Sequence, residues 1–130
     1  MTYGAKNYKQ MQITTASPTQ ILILLYEGAI QNVKKAMLAI EQKNFAEKGK
    51  YIGKAHDIIN ELTVSLNHEV GGSIAQDLER LYNFMVTQLF KANIENDKEP
   101  LSAVLKNLET LLEGWKGAVT QFQKEASGRK

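Results

Sequence analysis

Residues 21–26 read ILILLY, and the only polar side-chain atom among them is one phenol oxygen. No other segment constrains the fold as tightly. Such a run is either a strand buried on both faces or a helix with no polar side for nearly two turns. The residues before it decide. Ser17 is placed as an N-cap, Pro18 takes the first helical position, where its missing N–H costs nothing, and Gln20 completes a capping box. The residues after it agree. Ala29, Ile30, Val33, Ala36, Met37 and Ile40 continue at three-and-four spacing past Glu27 and Gly28, where a strand would stop. The segment is a helix, and it carries more apolar surface than one stripe.

Three more helical patterns follow. Asn44 with Glu47 reads as a second capping box, and Ile52, Ala55, Ile58, Ile59, Leu62 and Leu66 lead to a stop at Val70, Gly71 and Gly72. Ser73 with Gln76 restarts the pattern through Ile74, Leu78, Leu81, Tyr82, Met85 and Leu89. After a polar break at residues 93–100, the most regular pattern runs through Leu101, Val104, Leu105, Leu108, Leu111, Leu112, Trp115, Val119 and Phe122. Short connections make successive helices antiparallel. The expected fold is all-α: an antiparallel up-down-up-down four-helix bundle with a short N-terminal arm or helix. Residues 1–15 would form the arm, 16–126 the bundle and 127–130 a polar tail.

The chain offers little to catalysis. It has 130 residues, enough for one domain with a real core, and 43% hydrophobic with 23% charged residues is a globular balance. It has no cysteine, which excludes disulfides and thiolate metal sites and fits a reducing compartment. Neither His56 nor His68 has a glutamate three residues before it, so no bundle-type metal pair forms, and both read as surface or capping residues. HExxH, P-loop and Rossmann patterns are absent. Gly71 and Gly72 read as a helix–helix turn, and Ser17, Ser65 and Ser73 have no evident base. No enzyme and no cofactor is expected. With a net charge of +2 and Lys34, Lys35, Lys54, Arg80, Lys91, Lys106 and Lys116 scattered among acids, nucleic acid is not an expected partner. The polar N-terminus lacks a signal-peptide pattern, and six apolar residues fall far short of the ~20 that span a bilayer. The expectation is a cytoplasmic protein without membrane insertion.

The surplus apolar surface remains. At about 100° per residue, Leu22, Leu25, Tyr26, Ala29 and Val33 share one face of the first helix, while Ile23, Ile30 and Met37 lie along another, with Leu24 near its edge. Phe84, Val86 and Phe90 likewise fall outside the main stripe of the third helix. Three readings stand. The first helix is central and buried all round. Part of it lines an open groove for a partner's amphipathic helix. Or the arm, through Tyr8, Met11 and Ile13, covers it.

The order and spacing of particular residues resemble the FliS family of flagellin-specific export chaperones. The likeness opens with Thr15, Ala16, Ser17, Pro18 and Gln20, followed by Leu25, Tyr26, Glu27, Gly28, Ala29 and Ile30. It continues through Lys54, Ala55, Asp57, Ile58, Ile59, Glu61, Leu62, Ser65, Leu66 and Glu69. Further on it includes Gly71, Gly72, Ile74, Ala75, Leu78, Leu81, Tyr82, Met85, Leu89, Ala92, Asn93, Asp97, Leu111 and Trp115, so that nearly the whole chain is covered. The sequence departs from the family pattern at Asn67, Ser73, Phe84, and Glu113 with Gly114.

The resemblance implies a cytoplasmic chaperone that holds the disordered C-terminal region of flagellin, prevents premature polymerisation and delivers it to the flagellar type III export apparatus. Flagellin's segment would wrap the bundle, and an N-terminal stretch with a tyrosine, matched by Tyr8, would occupy part of that surface when flagellin is absent. Candidate partner-binding residues are Tyr8, Ile13, Leu22, Ile23, Tyr26, Ile30 and Phe90. A monomer is expected. The alternative is a structural helical-bundle oligomer whose surplus apolar surface is a self-association interface.

Overall fold

The computed structural model describes residues 17–128. Four helices follow one another: α1 (Pro18–Glu41), α2 (Phe45–Val64), α3 (His68–Glu95) and α4 (Lys98–Gly128). Helix α1 packs on α2 and α4, and α3 packs on the same two, so consecutive helices are neighbours around a four-cornered bundle. The two ends of α1 give its orientation to α4: Lys98 bonds Glu41 at one end, and Ile23 shares a cavity with Trp115 and Phe122 at the other. Among the described residues no helix is long and apolar enough to cross a membrane.

The starts and stops follow from local chemistry. Ser17 Oγ accepts from the Gln20 amide at 3.2 Å while the Ser17 amide donates to Gln20 Oε1 at 3.0 Å, closing the capping box from both sides. Helix α1 ends in a Schellman turn, in which the Lys43 amide bonds the Ile40 carbonyl and the Asn44 amide bonds that of Ala39. Lys43 takes the left-handed conformation there, with φ of 58°. Asn44 then caps α2 by accepting from the Glu47 amide at 3.3 Å.

The second connection differs from the expected one. Helix α2 stops at Val64 rather than reaching Val70, and Asn67 caps a new turn of helix by accepting from the Val70 amide. Asparagine caps as well as aspartate does, which removes any cost from that departure. The turn ends at Gly72, whose φ of 51° and ψ of −125° kink α3 before the long helical run begins at Ser73. Only glycine occupies that region without strain. The third connection is shorter than the polar stretch suggested. Asn96 closes α3 in the left-handed conformation, and Asp97 accepts from the Glu99 amide to start α4, with Pro100 in its first turn. At its far end α4 continues to Gly128, past the expected boundary at 126.

The core is built from Tyr26, Ala29, Val33 and Ala36 of α1 and Ile52, Ala55, Ile59 and Leu62 of α2. Helix α3 adds Tyr82, Met85, Leu89 and Ala92, and α4 adds Leu101, Val104 and Leu108. Small residues let α1 approach α2 closely. A Cβ added at Gly28 would stand 3.3 Å from Ile58 Cδ1. One buried cation joins this interior. Lys48 Nζ donates to the Asn93 carbonyl at 2.8 Å and to the Asn96 side chain, neutralising the carbonyl end of α3.

Candidate binding surface

The face of α1 that holds Tyr26, Ala29 and Val33 faces inward, so it is the second face that meets α4 at the surface. Along this α1–α4 seam lie two open cavities. One, of about 590 Å³, is floored by Ile30 and Leu112 and walled by charged side chains. Two cross-helix ion pairs stand in its walls, Lys34 with Glu109 at 3.9 Å and Lys116 with Glu27 at 3.5 Å. The other, of about 430 Å³, is lined by Ile23 of α1 and by Trp115, Val119 and Phe122 of α4, and its walls are mainly apolar. Together the two cavities span residues 109–123 of α4, or about 21 Å at 1.5 Å per residue.

Beneath the seam lies a polar contact inside the core. The hydroxyls of Tyr26 and Tyr82 are 2.5 Å apart, and their rings are tilted with centroids separated by 6.5 Å. Burial raises the Tyr26 phenol above its usual value of 10, opposed by the bond from Tyr82 and by the indole of Trp115. Burial pushes Tyr82 up further, and the Tyr26 hydroxyl adds to that rise. Both phenols therefore stay neutral across the physiological range. Trp115 Nε1 is buried near the Tyr26 oxygen, close enough to favour its ionised form, yet it completes no hydrogen bond.

The candidate residues separate accordingly. Ile23 and Ile30 line the seam, one in each cavity, although Ile30 belongs to the core and is only 8% exposed. Leu22 is half-buried against the core. Tyr26 has 0% exposure, so it supports the seam from below and is not available on its surface. Phe90 is on the opposite side, 55% exposed, with its ring 5.7 Å from that of His56 on α2. Tyr8 and Ile13 lie outside the described residues. Trp115, Val119 and Phe122 were not expected as site residues. Their signal was present as an apolar spacing that persists near the end of α4, where Phe122 remains 70% exposed.

His68 pairs with Glu79 across the Gly72 kink at 3.6 Å, and His56 stands 3.5 Å from Asp57. Among the described residues no three His, Asp or Glu side chains gather as a metal site would need. What fold and surface define is a binding module: a helical bundle with a long, partly apolar seam and two neutral buried tyrosines beneath it.

The sequence profile described as "Flagellar protein FliS" matches residues 1–122, and the chain belongs to that family, which consists of flagellar secretion chaperones and not of enzymes. It is 39% identical over 104 residues to the flagellar secretion chaperone FliS of Vibrio cholerae, covering 80% of this chain and 76% of that one. It is 36% identical to its counterpart from Salmonella typhimurium, covering 87% of each. With that of Bacillus subtilis the identity is 30%, over 93% of this chain and 90% of the other. A solved structure titled "Crystal structure of flagellar chaperone from bacteria" shares the fold. Its TM-score is 0.76 at 22% identity, over 91% of this chain and 96% of that one.

Proposed function

We propose that this protein binds the disordered C-terminal region of flagellin in the cytoplasm, prevents its premature polymerisation and hands it to the flagellar type III secretion apparatus. The observation that carries the reading is the α1–α4 seam, whose apolar half is lined by Ile23, Trp115, Val119 and Phe122. The names of the relatives, flagellar secretion chaperones, supply the biological setting. A disordered client loses conformational entropy when it orders, and a long apolar contact offsets that loss. The seam suits a client helix of about 14 residues at 1.5 Å each. No nucleotide is required, because binding alone withdraws the client from polymerisation by mass action.

Calorimetry with a peptide of the flagellin C-terminal region tests the reading. Binding with a negative heat-capacity change is expected, weakened at least about tenfold by Phe122→Asp while the melting temperature stays unchanged. Absence of binding, or full affinity in the variant, would sink it. A self-associating bundle that hides the same seam predicts concentration-dependent sedimentation instead. The arm formed by residues 1–15 belongs to the same proposal: Tyr8 and Ile13 shield the seam in the free chain. Deleting residues 1–13 should then raise affinity for the peptide, and an unchanged affinity would count against the shield.

A further inference from the structure

A second organised surface lies where α1 meets α2. There the Tyr51 ring sits among three ammonium groups. Lys35 Nζ is 5.5 Å from its centroid, Lys50 Nζ 5.6 Å and Lys54 Nζ 5.9 Å. All three are within the range at which a ring face attracts a cation. Lys50 and Lys54 flank Tyr51 on α2, and the fold brings Lys35 across from α1 to join them. Among the described residues none of the three pairs with a carboxylate, which is also true of Lys43, Lys91, Lys106 and Lys124; what sets the three apart is that they share one ring. Beside the ring a notch of about 210 Å³ opens between the helices, walled by Leu38, Ala39 and Tyr51, with Glu47 as its one acid. Leu38 is 52% exposed.

Three like charges around one ring repel one another, and the ring offsets only part of that repulsion. Carboxylates from outside would relieve the rest. The notch is concave and side-chain-sized, which suits a peptide and not a flat lipid surface. We propose that the α1–α2 face around Tyr51 docks an acidic segment of a second protein. Its carboxylates meet Lys35, Lys50 and Lys54, and one apolar side chain enters the notch against Leu38. This face is separate from the α1–α4 seam, so a chaperone with its client on the seam can hold the acidic partner at the same time. That last consequence rests on the client-binding reading; the docking does not.

The test uses the full chain, isotopically labelled, and a short synthetic peptide with a central leucine flanked by glutamates. Its counterpart carries glutamine in place of every glutamate. Amide shifts should concentrate at Lys35, Leu38, Ala39, Tyr51 and Lys54. Affinity should fall about tenfold between roughly 50 and 300 mM salt. The triple variant K35E/K50E/K54E should abolish binding, and K35Q/K50Q/K54Q should weaken it about tenfold, with melting temperatures unchanged. The proposal is overturned if the glutamine peptide binds equally well or if the triple variants keep full affinity. It is likewise overturned if the shifts spread over Lys91, Lys106 and Lys124. Binding of phosphatidylglycerol vesicles at these residues, with no binding of the peptide, would assign the face to a lipid surface and overturn it too. Flagellin is absent from every arm, so failure here leaves the client-binding reading untouched.

Discussion

The hydroxyl pair of Tyr26 and Tyr82 makes the energetics of the core measurable. The two oxygens are 2.5 Å apart, and the residues are 0% and 1% exposed. Tyr26→Phe removes one hydrogen bond and leaves the Tyr82 hydroxyl in a site closed to water. Leaving that group unsatisfied costs about 1–3 kcal/mol, so a loss of about 2 kcal/mol is expected. Tyr82→Phe should cost somewhat less, because the indole N–H of Trp115 lies near the Tyr26 oxygen and can close onto it. The double variant removes both groups together and orphans neither, so it should stay within about 1 kcal/mol of the parent. The single losses together then exceed the double loss by about 3 kcal/mol. Urea denaturation of the four proteins at neutral pH measures all three differences, provided their m-values agree. If the double variant loses as much as the two single variants combined, the hydroxyls act independently, and the reading of a mutually satisfied pair is refuted.

The same pair predicts an alkaline limit. Both phenols ionise less readily in the folded chain than in the unfolded one, so their contribution is present below pH ~10 and lost as pH rises above it. The urea midpoint should therefore fall above pH ~10, and fall less in the double phenylalanine variant. Lys48→Met keeps the stem of the buried side chain but removes its bonds to Asn93 and Asn96, and should cost about 2–3 kcal/mol in the same assay. Gly72→Ala forces a side chain into a left-handed backbone and should cost about 1–3 kcal/mol, although space for the methyl group is open. If calorimetric melting showed Gly72→Ala to be neutral, the kink would not be a glycine requirement.

Much of the architecture is legible in the sequence because α1 announces its start. Ser17, Pro18 and Gln20 open it as the capping box requires, and the spacing of Ala29, Val33 and Ala36 carries it past Gly28 as a helix. The second connection is less legible. Leu66 and Val70 extend the apolar spacing of α2, and Asn67 breaks it by taking the Val70 amide, a local bond that periodicity does not record. The surface is harder still. Tyr26 and Ile23 look equivalent in an apolar run, and only the positions of α3 and α4 show one enclosed and the other at the seam. Phe90 is exposed as its place outside the stripe suggests, but helix order puts it on the α2–α3 side, away from Ile23 and Ile30. Lys35, Lys50 and Lys54 come from two helices, so their meeting at Tyr51 depends on interhelical register, which no single-helix pattern carries.

The turn between α1 and α2 has no slack. Asn44 gives its amide to the last turn of one helix and its side chain to the first turn of the next, while Lys43 accepts a conformation usually left to glycine. One residue added there would rotate α2 about its axis by roughly 100°, carrying Ile52, Ala55 and Ile59 out of the interior. Surface loops generally tolerate changes in length. This one works as an indexing pin, and its length specifies the interior as firmly as the identity of any core side chain.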